Sequence, residues 1–278
     1  VSEGREDRSW RLGDHVSAMY SADDECRDLL TRYVRAGVRP GQRVAVFLDA
    51  DDADLARHLT AAAPAAAPGQ LVITRYGTGG FDLTARTGPA LVERMLDGMA
   101  AMREQAAGDG YGGLFLAGKM TWALRAGLGA DELVRYEAAA NRFFGDARVA
   151  GLCLYDRRRF TKDALTAIAA VHPGPLLRFT VGGWGAHLRL SGELDASNAA
   201  ALPSILDIVA GADSTVLLDA SELRFLDAAG AGTIVRFAAS RPHRSTVVRC
   251  TRGVRQTLHL VGADTVPSLV LRDQVSGV

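Results

Sequence analysis

The sequence predicts an α/β protein made of two successive sheet-and-helix domains, 1–174 and 175–278. Three observations carry this reading. From residue 16 to residue 171, short apolar runs alternate with longer segments whose apolar residues recur every three or four positions. That alternation is the pattern of a largely parallel sheet with helices on both faces. It breaks at His172-Pro173-Gly174-Pro175, which cannot continue a helix. Beyond the break, two apolar runs flank a glycine-rich turn before strands and helices resume, as in a mixed sheet.

The first run, VSAMY (16–20), precedes Ser21-Ala22-Asp23-Asp24, where Ser21 is placed to cap a helix. That helix carries Cys26, Leu29, Leu30, Tyr33 and Val34 on one face and is expected to stop near Gly37, before the turn Arg39-Pro40-Gly41. RVAVFLD (43–49) is almost wholly apolar, as a strand covered on both faces requires. A helix over 52–62, a strand over 71–75 and a long helix over 89–107 follow. The Ala/Pro stretch 61–68 reads as a connector and Gly77-Thr78-Gly79-Gly80 as a loop. GLFLA (113–117), a helix over 130–143, VAGLCLY (149–155) and a helix over 162–171 complete the first domain. In the second, LLRFTV (176–181) and AHLRLSG (186–192) predict an antiparallel hairpin around GGWG. A helix (197–210), a strand (214–220), a helix (229–240), a strand (245–250), a short helix (253–260) and a last strand (267–272) follow.

A chain of 278 residues with 48% hydrophobic content can bury two cores without metal or disulfide staples. Lys and Arg total 32 against 32 Asp and Glu, and the pI is near 7.2. This balance argues against a general affinity for nucleic acid or anionic membrane. Cys26, Cys153 and Cys250 are far apart with no CxxC, which fits a reducing compartment. No apolar run reaches the roughly 18 residues of a membrane span, and the charged opening segment is unlike a signal peptide. A cytoplasmic location is expected.

Chemistry-bearing motifs are sparse. Gly113 to Lys119 matches G-x4-G-K, but its intervening residues are strand-like and Met120 stands where Ser or Thr would hold magnesium, so no nucleotide site is expected there. The six histidines form no HExxH or His–Cys cluster, no serine has a G-x-S-x-G context, and neither a metal, a cofactor nor a catalytic residue is expected. His15, Trp122, Cys153, Tyr155 and His172 lie at or near the ends of elements, where open parallel sheets bind ligands, although each alone suits a core equally well. Arg157-Arg158-Arg159 reads as a solvated turn or a set of ion pairs. In the second domain, Phe225-Leu226-Asp227-Ala228-Ala229-Gly230-Ala231-Gly232 joins a buried strand to a helix that Asp227 can cap. Small side chains there admit close approach by another protein. Ser191-Gly192-Glu193-Leu194-Asp195 likewise ends a strand with polar groups. The candidate partner-binding set is Asp195, Ser197, Asp227, Ala228, Ala229, Gly230 and Thr233.

The order strand, S-G-E-L-D, helix, buried strand, F-L-D-A-A-G-A-G, helix resembles the STAS domain of anti-sigma-factor antagonists over roughly 175–278. In that family the second motif runs Asp-Ser-Ser/Thr-Gly-Leu-Gly, and a switch kinase phosphorylates the second hydroxyl residue. Asp227 and Gly230 match, whereas Ala229 stands at the phosphoacceptor position and offers no oxygen. The resemblance implies an anti-sigma factor or related kinase-fold protein as partner, without that phosphoryl switch. The first domain resembles the MEDS sensory domain over about 10–174, on Asp14-His15-Val16 with Tyr20, on Met120-Thr121-Trp122-Ala123, and on Cys153 to Phe160 with His172-Pro173. This likeness implies a RecA-like sheet without an ATP site and a pocket for a small, hydrocarbon-like molecule, with His15, Tyr20, Trp122, Cys153, Tyr155 and His172 as the tentative sensing set. Asp49-Ala50-Asp51-Asp52 occupies the place of a Walker loop. The expected function is therefore a non-enzymatic signalling or transcription regulator, with a nucleotide-hydrolysing RecA-like enzyme or a constitutive interaction scaffold as the alternatives.

Overall fold

A computed structural model describes residues 10–76, 89–182, 187–211 and 215–273. The loop expected at Gly77-Thr78-Gly79-Gly80 and the Gly183-Trp184-Gly185 part of the hairpin turn lie outside these residues. The chain divides into two compact units, Val1–Leu133 with Arg148–Leu165, and Val134–Ala147 with Thr166–Val278.

The first unit is built on β1 (His15–Tyr20), β2 (Arg43–Leu48), β3 (Leu71–Arg75), β4 (Leu114–Lys119) and β5 (Val149–Asp156). All pairs are parallel and the order is β1-β5-β4-β2-β3. The helices are α1 (Asp23–Val38), α2 (Ala53–Ala62), α3 (Pro89–Gly108) and α4 (Thr121–Arg125); α5 (Ala130–Phe144) and α6 (Lys162–Val171) begin here and continue into the second unit. Five parallel strands flanked by helices are the fold class the alternation predicted. The short α4, directly after β4, was not foreseen.

Local chemistry explains one departure at α1. Ala22, not Ser21, is its N-cap, and the Glu25 carboxylate reaches back to accept from the backbone N–H of Ser21 (2.7 Å) and Ala22 (3.3 Å). The helix ends at Val38, beside Gly37 as expected, and an added Cβ on Gly37 would lie 2.6 Å from Val44 Cγ2 and 2.9 Å from Phe115. Gly37 thus also serves close packing of α1 on β2 and β4. The face bearing Cys26, Leu30, Tyr33 and Val34 is buried with Val44, Val46, Leu48, Phe115 and Leu152, and the Tyr33 hydroxyl donates to the Leu116 carbonyl at 2.8 Å.

The second unit holds β6 (Leu177–Val181), β7 (Leu188–Leu194), β8 (Thr215–Leu226), β9 (Ser245–Cys250) and β10 (Leu269–Asp273), in the order β10-β9-β8-β7-β6. Only β6–β7 is antiparallel, so the sheet is mixed as expected. Its helices include α7 (Leu202–Ala210), α8 (Ala228–Ala239) and α9 (Arg252–Leu260). The core gathers Phe179, Leu190, Leu194, Leu206, Val216, Leu218, Ile234 and Leu258.

Two boundaries differ from the sequence reading. β8 extends to Leu226 because the register shifts opposite Arg189–Ser191 and opposite Gly192–Glu193, each time with one extra residue in β8, and the pairing continues to Leu194↔Leu226. Gly192 has φ +96, and a Cβ there would sit 2.1 Å from the Leu176 carbonyl oxygen, so only glycine fits. The helix expected from 197 begins at Leu202, after a 3₁₀ turn at Ala199–Ala201. Asn198 holds the preceding loop out of the helix: its side chain accepts from Asp195 N at 3.0 Å and donates to Glu193 O at 2.9 Å. Among the described residues no helix is long and apolar enough to cross a membrane.

Candidate functional site

In the first unit, β2 and β4 are neighbours, yet the chain leaves β2 for β3 on one side and β4 for β5 on the other. Their carboxyl ends form the switch point of the sheet, where ligands of open parallel sheets bind. Asp49, Asp51 and Asp52 follow β2; Lys119, Thr121 and Arg125 end or follow β4. Lys119 Nζ donates to both Asp52 oxygens at 2.8 Å and lies 3.6 Å from Asp49. The Thr121 hydroxyl donates to Asp49, and Arg125 reaches Asp49 and Asp51, each at 3.3 Å. Burial pulls the Lys119 ammonium down, but the Asp52 hydrogen bonds and the Asp52 and Asp49 charges outweigh it, and the net shift is upward. Asp51 is lowered, by its own backbone hydrogen bond and by Arg125. The Gly113–Lys119 segment is strand from Leu114 onward, so its amides enter the ladder instead of cradling a phosphate.

Beside this crevice Tyr20 and Cys26 are buried together, and burial pushes both up, Cys26 to about 11. At the end of β5, Arg158 donates twice to Asp156, each bond 2.8 Å, and its charge also meets Asp23. These hydrogen bonds hold the Asp156 carboxyl below its usual range. Residues 157–159 are an exposed turn, the ion-paired reading of the arginine triplet.

In the second unit, Asp227 is the N-cap of α8. One carboxylate oxygen accepts from Gly230 N at 2.9 Å and the other from Ala196 N at 2.8 Å, so one side chain ties the β7–α7 loop to the start of α8. Asp195 orders the same loop by accepting from Ser197 N (2.8 Å) and Ser197 Oγ (2.6 Å). Ala196, Ser197, Ala228 and Ala229 are exposed, and so is Phe225, at 51%. Gly230 and Thr233 face inward: Gly230 lies under Leu194 and Leu226, and the buried Thr233 hydroxyl donates to Ala229 O at 3.0 Å.

Residues 14–173 match the MEDS family, described as the methanogen/methylotroph, DcmR sensory domain. The chain belongs to the MEDS family. Residues 179–272 match a second family, described as Mlab, STAS domain, so a MEDS domain is followed by a STAS domain. No curated protein matches the chain. The pairing of these domains makes this a signalling or regulatory protein.

The tentative sensing residues of the first unit are divided between the two faces of its sheet. Side chains alternate along a strand, so Tyr20 lies on the α1 face of the sheet with Cys26, whereas His15, Cys153 and Tyr155 lie on the other face. Of these, His15 Nε2 and Cys153 Sγ approach to 3.7 Å and Tyr155 packs edge-on against Phe160. Trp122 is wholly buried beside Tyr76, with ring centroids 6.0 Å apart. His172, in the second unit, is buried with Nδ1 2.8 Å from Ile168 O and Nε2 3.3 Å from the Glu137 carboxylate. The Lys119–Asp52–Asp49–Thr121 lattice was not foreseen as a unit. Its signal in the sequence was charge after two apolar strands, legible only once those strands are known to be neighbours.

Proposed function

We propose that this MEDS–STAS protein is a non-enzymatic regulator, in which the MEDS domain senses a small molecule and the STAS domain binds an anti-sigma factor or related kinase-fold protein. The observation that carries the reading is the exposed Ala228-Ala229 pair at the start of α8, beside Phe225 and fixed by Asp227. Exposed small side chains at a preordered terminus, close in sequence to an exposed aromatic, suit a protein interface with one anchoring ring. Ala229 has no oxygen to accept a phosphoryl group, so the charge of about −1.5 to −2 that phosphorylation adds is not available at this position.

The nucleotide-hydrolase reading has less support. At the switch point Lys119 is held by Asp52 and Asp49, and three carboxylates stand where a triphosphate would need amides and cations.

The test is calorimetric titration of the full chain with a purified anti-sigma-factor kinase, beside Ala229→Asp. Binding by the native chain and a loss of about ten-fold or more in the variant, about 1.4 kcal/mol, are expected. Equal affinities would remove the α8 terminus from the interface, and absence of native binding would remove this partner class. Robust ATP turnover by the chain would overturn the non-enzymatic reading.

A further inference from the structure

The β7–α7 loop carries an exposed hydroxyl, that of Ser197, to the start of α8. Ala196 N, one residue before it, donates to one Asp227 oxygen at 2.8 Å, and Gly230 N donates to the other at 2.9 Å. The loop and the first turn of α8 therefore meet on a single carboxylate. Ser197 is ordered from its own side as well: its Oγ donates to Asp195 Oδ1 at 2.6 Å, and its N–H donates to the same oxygen at 2.8 Å. Behind it the buried Asn198 accepts from Asp195 N at 3.0 Å and donates to Glu193 O at 2.9 Å. An exposed hydroxyl thus stands on a loop that is pinned on both sides of it. Residues 225–232 include neither serine nor threonine, and the Thr233 hydroxyl is buried on Ala229 O.

The geometry points to Ser197 as a phosphoacceptor, a covalent switch set into the partner face at a place other than 229. The inference rests on the partner reading above, because the kinase-fold partner brings the phosphoryl donor, ATP. In the transfer the Ser197 oxygen forms a bond to the γ-phosphorus, the bond from that phosphorus to the β,γ-bridging oxygen breaks, and ADP leaves with the electron pair. The hydroxyl proton goes to Asp195 Oδ1, which already accepts its hydrogen bond, and from there to water. The phosphoryl group adds a charge of about −1.5 to −2 where the loop meets α8. Asp195 Oδ1 loses the hydroxyl hydrogen it held and faces a like charge in its place. The segment that Ala196 N fastens to Asp227 is thereby loosened while the face gains charge. Both changes disfavour a partner that docks on small neutral side chains.

The experiment incubates the full chain with ATP, magnesium and the anti-sigma-factor kinase that binds it by calorimetry. Intact mass and fragmentation of the tryptic peptide containing Ser197 are read. A single phosphoryl group localised to Ser197, and absent from Ser197→Ala, is expected; a dichroism spectrum checks the fold of the variant. The phosphorylated chain should bind that kinase at least about ten-fold more weakly, the scale of like charges opposed at an interface, and phosphatase treatment should restore the affinity. A chain that binds the kinase yet takes up no phosphoryl group, or takes it up equally in Ser197→Ala, overturns the assignment of Ser197 and leaves the partner reading standing. Phosphorylation at Ser197 with no loss of affinity overturns its role as a switch. If no anti-sigma-factor kinase binds the native chain, the partner reading falls and this inference falls with it.

Discussion

Gly230 sits at the third position of α8, where a glycine would ordinarily be replaced by alanine with profit to the helix. The interior gain is roughly 0.5–1 kcal/mol. The surroundings reverse the sign. A Cβ on Gly230 would lie 2.5 Å from Leu194 Cγ and 3.0 Å from both Leu194 Cδ2 and Leu226 Cδ1. Carbon atoms settle at about 3.5–4.0 Å, so the helix or the leucines must move by about 1 Å. Both leucines are core residues, paired in register between β7 and β8, and the closest atom is a branch point instead of a flexible tip. Overpacking of this kind costs about 1–3 kcal/mol. The net expectation for Gly230→Ala is a loss of about 1–2 kcal/mol, a fall of roughly 5–10 °C for a domain near 100 residues. The assay is thermal unfolding of the full chain by circular dichroism, with Gly232→Ala as the matched control. A Cβ at Gly232 meets only the end of the Arg236 side chain, at 3.0 Å, which can swing away. That variant should be neutral or slightly stabilised. If Gly230→Ala melts with it, the close approach of α8 to Leu194 is not what requires glycine.

Three further outcomes follow from the MEDS unit. Lys119→Met leaves the buried Asp49 without its ammonium partner and Asp52 without its two hydrogen bonds; a loss of about 2–4 kcal/mol is expected by urea unfolding at pH 7. Unfolding at the native denaturant midpoint would contradict it. Asp156 has a folded-state pKa depressed below its unfolded value near 3.9. The stability it contributes is therefore fully present above about pH 4 and lost as the pH falls through the folded value. Arg158→Ala should accordingly be less stable at pH 7, with the gap closing on acidification; a gap that widens in acid would refute the sign. With its thiol pushed up to about 11, Cys26 carries roughly one thiolate per thousand at pH 8. Its tryptic peptide should stay unalkylated by iodoacetamide in the native chain and react on unfolding. Fast native labelling would show the burial to be wrong.

The sheets were legible because burial writes itself into composition. RVAVFL has the pattern of a strand covered on both faces and is one, and VAGLCLY, expected in the same alternation, forms β5 with every residue buried. Boundaries set by side chains from elsewhere were not legible. Ser21 had the chemistry of a cap, yet Glu25 took the exposed N–H groups, a choice between local partners that spacing alone leaves open. The end of β8 depended on two bulges within β8, visible only in its register against β7. The candidate site shows the same limit. Asp227 as a helix cap was readable from its place before a run of small residues. Its second bond, to Ala196 N across 31 residues of sequence, required the fold. Gly230 belongs to the run of small residues expected to admit a partner, and its own close neighbour in the fold is Leu194.

That distinction sharpens what the alanines at 228 and 229 do. Asp227 and Gly230 are fixed by internal geometry: one joins two loops, the other admits the helix to the core. Neither needs a binding partner to explain it. Ala228 and Ala229 are exposed and carry no polar side-chain group, although the Ala229 carbonyl accepts from Thr233. Structure alone would tolerate serine at either position, since a hydroxyl in the first turn of a helix finds backbone or water. On the proposed reading, a partner face lacking a phosphoacceptor at 229 must be controlled by affinity and concentration rather than by covalent charge at that site. Any sensing in the MEDS domain then acts only through a difference in partner affinity between two states. Ala229→Ser restores the oxygen without disturbing Asp227 or Gly230. If a cognate kinase phosphorylates that variant and binding falls by at least ten-fold (about 1.4 kcal/mol), the face is an antagonist surface with its covalent switch removed. If the modified variant binds as before, charge at this terminus does not govern the interface, and the partner contacts lie elsewhere on the domain.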